Sequence, residues 1–334
     1  MRPRPWGRPG SPDALGTGNP EAVRAASGRV PGGLGPEDAG AFTPGSLEAV
    51  TYEGRVYGVP YATENLALLR NTDLAPEAPE TFDELVDAGT ELVRAGRAER
   101  ALSLQVGPEG DAYHIHPLFT SAGGYLFGAD ASGDPDPADL GVAAPESVAA
   151  FERLRGLGEA GSGVLGRETD AAGATALFTG GAAPFFVTGP WNMASVKQAG
   201  VPYAISPVPP FADGGPARPL LGVRTFFVSS GASAPGLAEE LAAGFVAQPE
   251  FSVTLYDADP RVPALVAGLE QVAEQDPDLA AFQRAGRDGV PMPAIPEMNA
   301  VWGPFGQASA DIIGDADPAA ALAEAEAQIR AGIE

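Results

Sequence analysis

The chain of 334 residues contains no cysteine. Disulfides, thiolate nucleophiles and cysteine-held metals are therefore excluded, and no redox compartment can be read from the sequence. Histidine occurs only at His114 and His116, which excludes a multi-histidine metal site or a relay of several histidines. Lysine occurs only at Lys197; the other basic residues are arginine, a bias that fits a GC-rich genome better than any chemistry. Long hydrophobic runs are absent too. Glycine, proline or charge interrupts every apolar stretch, so nothing approaches a membrane span. Neither a Gly-Lys-Ser/Thr phosphate loop nor a Gly-x-Ser-x-Gly nucleophile elbow is present.

What is abundant is negative charge. A net charge of −24 and a pI near 4.3 argue against nucleic acid or an anionic membrane surface as partner. The length exceeds one ordinary core and suggests two lobes, and 44% hydrophobic residues are enough to fill them. No cofactor or metal is expected.

Residues 1–41 combine arginine with glycine and proline and show no apolar period, so they are expected to be unstructured. They do not read as an export signal, because no apolar stretch follows the arginines. From Val50 to Tyr61, two β-rich runs around Glu53-Gly54 predict a hairpin, and Leu66–Leu69 a strand. Thr81 with Asp83 and Glu84 predicts a capped helix ended by Gly96. A short strand at 101–104, helices from Tyr113 to Ala122, from Pro145 and from Asp170 to Phe178, and the strand Tyr203–Ser206 follow. Leu220–Val228 reads as a long strand with Gly222 inside it. Helices are predicted over 235–247, 250–256, 262–273, 299–313 and 318–329. Strands alternating with helices give the α/β class.

Phe185-Phe186-Val187 is a short apolar run of the kind a sheet buries, and Gly189-Pro190 re-aims the chain behind it. Trp191 therefore stands just past the carboxyl end of a strand, where open α/β sheets bind ligands. A core tryptophan beside a turn fits equally well. Tyr113 and Trp302 occupy comparable junctions, and flat aromatic faces suit pyranose rings. Glu64 and Asp111 each lie in a loop near a strand end. They could form a general acid/base pair or accept hydrogen bonds from sugar hydroxyls; equally, Glu64 could cap a turn and Asp111 the helix that follows.

An ordered set of motifs runs through the chain: Val50-Thr-Tyr-Glu-Gly-Arg-Val-Tyr-Gly-Val-Pro-Tyr-Ala-Thr-Glu64, Arg70-Asn-Thr-Asp-Leu74, Pro79-Glu-Thr-Phe-Asp-Glu-Leu85 and His116-Pro117, then Gly123-Gly124-Tyr125, Phe178-Thr-Gly-Gly181, Thr188-Gly-Pro-Trp191, Gly222-Val223 and Met292-Pro-Ala-Ile-Pro-Glu-Met298 with Trp302. From about residue 42 to the C-terminus this set resembles the maltose/maltodextrin-binding proteins, the solute-binding subunits of carbohydrate ABC transporters. The resemblance implies a type II periplasmic-binding-protein-like fold: two α/β lobes joined by a hinge, closing on a sugar in the cleft between them. One lobe is expected to be incomplete (42–62 and 226–273); the other covers 67–220 and 278–334. Crossings are expected near 62–66, 221–226 and 274–278.

It also implies a binding protein and not an enzyme, and a monomer. Its partners would be a malto-oligosaccharide or a related disaccharide and the permease subunits; its location would be extracytoplasmic. By correspondence, the sugar-binding residues are Glu64, Asp111, Tyr113, His114, Trp191, Met292 and Trp302. Gly303, Gly306 and Ala171 stand where the family has larger contacting side chains, which puts the preferred sugar length in question. The family's longer N-terminal part is not recognisable in residues 1–41, so a truncated or frame-shifted, even non-functional, product is expected. A glycoside hydrolase using Glu64 and Asp111, and an interaction scaffold without ligand, are the competing readings.

Overall fold

The computed structural model describes residues 40–333 apart from residues 44, 53–54, 132, 229–231, 243, 245–247 and 294. The expected disorder over residues 1–39 and the turn at Glu53-Gly54 lie outside the described residues. In chain order the elements begin β1 (Thr51–Tyr52), β2 (Arg55–Val56), β3 (Gly58–Glu64), β4 (Ala67–Asn71), α1 (Phe82–Arg94), β5 (Ser103–Leu104) and α2 (Ala112–Ser121). There follow β6 (Phe127–Ala129), β7 (Pro135–Leu140), α3 (Pro145–Leu157), α4 (Ala171–Thr179), β8 (Phe185–Thr188), α5 (Met193–Ala199), β9 (Tyr203–Ser206) and β10 (Leu220–Phe227). The last are α6 (Pro235–Leu241), α7 (Pro249–Ala258), β11 (Val262–Pro263), α8 (Val266–Ala273), α9 (Pro277–Ala285), β12 (Val290–Pro291), α10 (Met298–Ile313) and α11 (Pro318–Ile333). The class is α/β.

The chain divides into two compact units. One ends its first segment at Glu64 and adds Gly222–Gln275 and Pro291–Met298; the other takes Asn65–Leu221, Asp276–Val290 and Asn299–Glu334. In the first unit β1 and β2 pair antiparallel, with Thr51 opposite Val56. β3 lies between β11 and β10, antiparallel to both. Phe42, Leu47, Val50, Val56, Ala264 and Leu265 form a buried cluster. A helix over 262–273 is the sequence expectation, but Val262 and Pro263 pair with Thr63 and Ala62 as β11, and the helix starts only at Val266. Pro263 has no N–H to donate to a helix ladder, and an edge strand tolerates that loss.

In the second unit the sheet order is β5-β8-β4-β9, with β4 antiparallel to both neighbours and β5 parallel to β8. Every residue of β8 is buried, which is why its sequence is an unbroken apolar run closed by Thr188. The Thr81 hydroxyl caps α1 by accepting the Glu84 N–H at 3.1 Å, and the Glu84 carboxylate takes the Glu80 N–H at 2.8 Å. Phe119, Phe151 and Phe305 meet at 5.0–5.6 Å between ring centres and lock α2, α3 and α10 together. The hairpin β6–β7 and the helix α9 are absent from the sequence reading. Lys197, at the end of α5, reaches Asp276 at 3.2 Å and Asp278 at 2.9 Å at the start of α9.

Candidate aromatic sugar platform

β5 and β8 run in the same direction, so their carboxyl ends lie at one edge of the sheet. The chain leaving β5 reaches α2 through residues 105–111; the chain leaving β8 turns through Gly189-Pro190 into Trp191. Three rings gather there. Tyr113 and His114 are 5.8 Å apart between centres, Tyr113 and Trp191 6.2 Å, and His114 and Trp191 6.1 Å. His114 is buried, while Tyr113 and Trp191 are half-buried and keep part of their surface in solvent. The Tyr113 hydroxyl donates to the Leu220 carbonyl at 3.1 Å.

Two glycines make this arrangement possible. A Cβ on Gly189 would lie 2.1 Å from Cζ3 of Trp191, so the indole folds back over a position that only glycine leaves open. Gly110 has φ +75°, and a Cβ there would lie 1.7 Å from the Gly306 carbonyl oxygen. The loop before α2 is thus seated on α10. Behind Trp191, Asn192 donates from Nδ2 to the Thr188 hydroxyl at 2.8 Å, and the Thr175 hydroxyl donates to Asn192 Oδ1 at 3.3 Å.

Asp111 is the N-cap of α2. Its Oδ1 accepts the His114 N–H at 2.8 Å, and Gln105 Nε2 donates to Oδ2. His114 Nδ1 lies 3.0 Å from Oδ1 without forming an aligned hydrogen bond. Burial works against the charged carboxylate. The His114 ring and the backbone N–H groups of His114 and Tyr113 outweigh burial and hold Asp111 below the usual carboxylate range. Asp111 thus caps α2 through the backbone N–H of His114, whose ring belongs to the three-ring group.

The other sequence-derived residues lie elsewhere. Trp302 is half-buried in the second turn of α10, in the same unit as the three rings. Glu64 and Met292 belong to the other unit. Glu64 is the last residue of β3, where Arg261 Nη1 donates to its Oε2 and Arg224 Nε lies 3.3 Å from Oε1. Met292 is half-buried just beyond β12. Gln105, Arg224 and Arg261 escape the sequence reading. Gln105 follows a strand end and could have been marked on that ground; neither arginine has a local pattern that separates it from the other arginines.

A sequence model of the bacterial extracellular solute-binding proteins matches residues 9–281. A galactooligosaccharide-binding protein of Bacillus subtilis is 30% identical over 85% of this chain and 68% of its own length. A maltotriose-binding protein of Pyrococcus abyssi is 28% identical over 82% of this chain and 58% of its own length. The maltodextrin-binding protein MdxE of Bacillus subtilis is 28% identical over 85% of this chain and 70% of its own. The chain therefore spans between 58% and 70% of the length of these relatives.

Proposed function

The chain belongs to the bacterial extracellular solute-binding proteins, and on that premise we propose that it captures an oligosaccharide outside the cytoplasm and delivers it, unchanged, to an ABC-transporter permease. The family consists of binding proteins and not enzymes. The observation that carries the sugar assignment is the three-ring group at the carboxyl ends of β5 and β8, with a charged carboxylate at its edge. Trp191 and Tyr113 offer C–H-accepting faces to a pyranose. Asp111, anchored by Gln105 and the helix N-terminus, offers charge-assisted acceptors to ring hydroxyls.

We assign Trp191 as the stacking platform, with Asp111, Tyr113 and His114 around it and Glu64, Met292 and Trp302 as further sugar contacts. The ligand we favour is a malto-oligosaccharide, with a related disaccharide or a galactooligosaccharide as the alternatives to be compared. The working form is a monomer. Glycoside hydrolysis is disfavoured by the family, whose members bind their solutes and are not enzymes.

Calorimetric titration with maltose, maltotriose, trehalose and a galactooligosaccharide tests the reading. Binding of at least one sugar without released monosaccharide is expected, and Trp191→Ala should weaken it by roughly tenfold or more, the scale of a lost aromatic stack. Released glucose would favour the hydrolase. An unchanged affinity in Trp191→Ala would remove the platform from the site.

A further inference from the structure

Glu64 sits in a setting that the sequence does not announce. β3 carries it on the same sheet face as two arginines. On one side Val262 pairs with Thr63 and Pro263 with Ala62, so the next position, Arg261, falls opposite Glu64. On the other side Gly222 is opposite Glu64 and Arg224 opposite Ala62, which puts Arg224 diagonally across on the same face. A Cβ on Gly222 would lie 2.8 Å from Glu64 Cγ, so the glycine lets the acid lie across the β10 backbone.

We propose that Arg261 is a positioning residue for Glu64, fixing its carboxylate so that Oε1 is presented as a ready acceptor for a sugar hydroxyl; this rests on the solute-binding reading above. Arg261 Nη1 donates to Glu64 Oε2, while its Nε donates to Asp259 Oδ2 at 2.6 Å. The guanidinium is therefore held from both ends, and its side chain is 11% exposed. The Glu64 side chain is 14% exposed. Arg224 Nε approaches Oε1 at 3.3 Å but off its N–H axis. It supplies positive charge beside Oε1 without an aligned hydrogen bond. A carboxylate has about four acceptor positions, and Arg261 engages only the Oε2 side.

Two physical points favour positioning over simple support. A partly buried ion pair adds little net stability once desolvation is counted. A glutamate frozen before the ligand arrives loses less rotamer entropy on binding. In a chain of net charge −24, the two arginines and the acids Glu64 and Asp259 form a locally balanced group.

A double-mutant cycle on the affinity for maltotriose, read by calorimetry with Tm measured alongside, decides it. Glu64→Gln should weaken binding by roughly 10- to 100-fold, the range for a hydrogen bond to a charged group. Arg261→Gln should weaken it about tenfold, and adding it to Glu64→Gln should cost nothing further. Arg261→Lys should recover part of the loss. Asp259→Asn, which loosens the guanidinium from its far end, provides a milder variant if Arg261→Gln does not fold, and should weaken binding by a few-fold. Multiplying losses in the double variant would make Arg261 an independent sugar contact and overturn the proposal. A lower Tm with unchanged affinity in both Arg261→Gln and Asp259→Asn would reduce the network to a structural one. The Trp191→Ala titration judges the binding function itself, so a failure there is distinguishable from a failure of this cycle.

Discussion

His116 is enclosed in α2 with its Nδ1 2.9 Å from the Arg218 carbonyl oxygen, and burial pushes its pKa down to about 4. The unfolded chain, with a histidine near 6.5, binds more protons than the fold between that value and about 4. Stability is therefore complete above pH 6.5 and falls as the pH drops through this window, by about 3 kcal/mol if the full shift is expressed. Asp111 acts lower on the scale. Its folded pKa lies below 3.8, so its contribution is present above that value and is lost only at more acid pH. Urea midpoints measured from pH 7 to 2 should show the His116 loss first and a further loss below pH 3.8, and Asp111→Asn should reduce only the second. Gly189→Ala should cost about 1–3 kcal/mol through the clash with the indole, seen as a lower Tm and an altered near-ultraviolet dichroism. At this scale the sequence was informative wherever a side chain acts on its own neighbours. Asp111 as cap and Trp191 past a strand were legible because both depend on a few consecutive residues. Arg224 and Arg261 were not, because their role depends on strand pairings between residues as far apart as Glu64 and Arg261.

Among the elements, local signals set the boundaries well where a cap or a stop is present. α1 begins at the Thr81 cap, α3 carries Pro145 in its first turn, and α4 follows the Asp170 cap. Thr81→Ala should destabilise by about 1 kcal/mol, and a thermal melt would register it. The errors arose where tertiary pairing overrode the local pattern. Val262-Pro263 was drawn into a strand by Thr63 and Ala62. β6–β7 escaped because Pro135-Asp-Pro-Ala-Asp-Leu140 lacks the branched and aromatic residues that mark strands. α9 has a readable start in the Asp276 cap with Pro277 behind it. The seat of the loop before α2 on α10 makes a sharper test. Gly110→Ala combines a positive φ with a clash against the Gly306 carbonyl, so it should lower both Tm and sugar affinity.

For the whole molecule, composition bears on the class of partner more than on the architecture. The acid excess argues against nucleic acid and the missing cysteines exclude thiol chemistry, but neither feature points to a sugar. That expectation came from the ordered motifs, most of which lie within the family match over residues 9–281. A net charge of −24 also predicts self-repulsion in the folded state. Raising sodium chloride from about 10 mM to 300 mM shortens the Debye length from about 30 Å to below 10 Å. Tm should rise over that range, and a flat response in calorimetric scans would mean that the surface charges are already balanced by local pairing.

Lys197 is the sole ε-amine of the chain, and its two aspartate partners tie α5 to α9. A lysine-specific protease therefore has a single cleavage point, six residues beyond Trp191. To be cut, α5 must open and release Asp276 and Asp278, so the digestion rate measures how often this helix unravels in the native protein. A sugar stacked on Trp191 would hold the start of that helix in place. The lifetime of the intact band on a gel then becomes a readout of occupancy that needs neither a label nor a calorimeter.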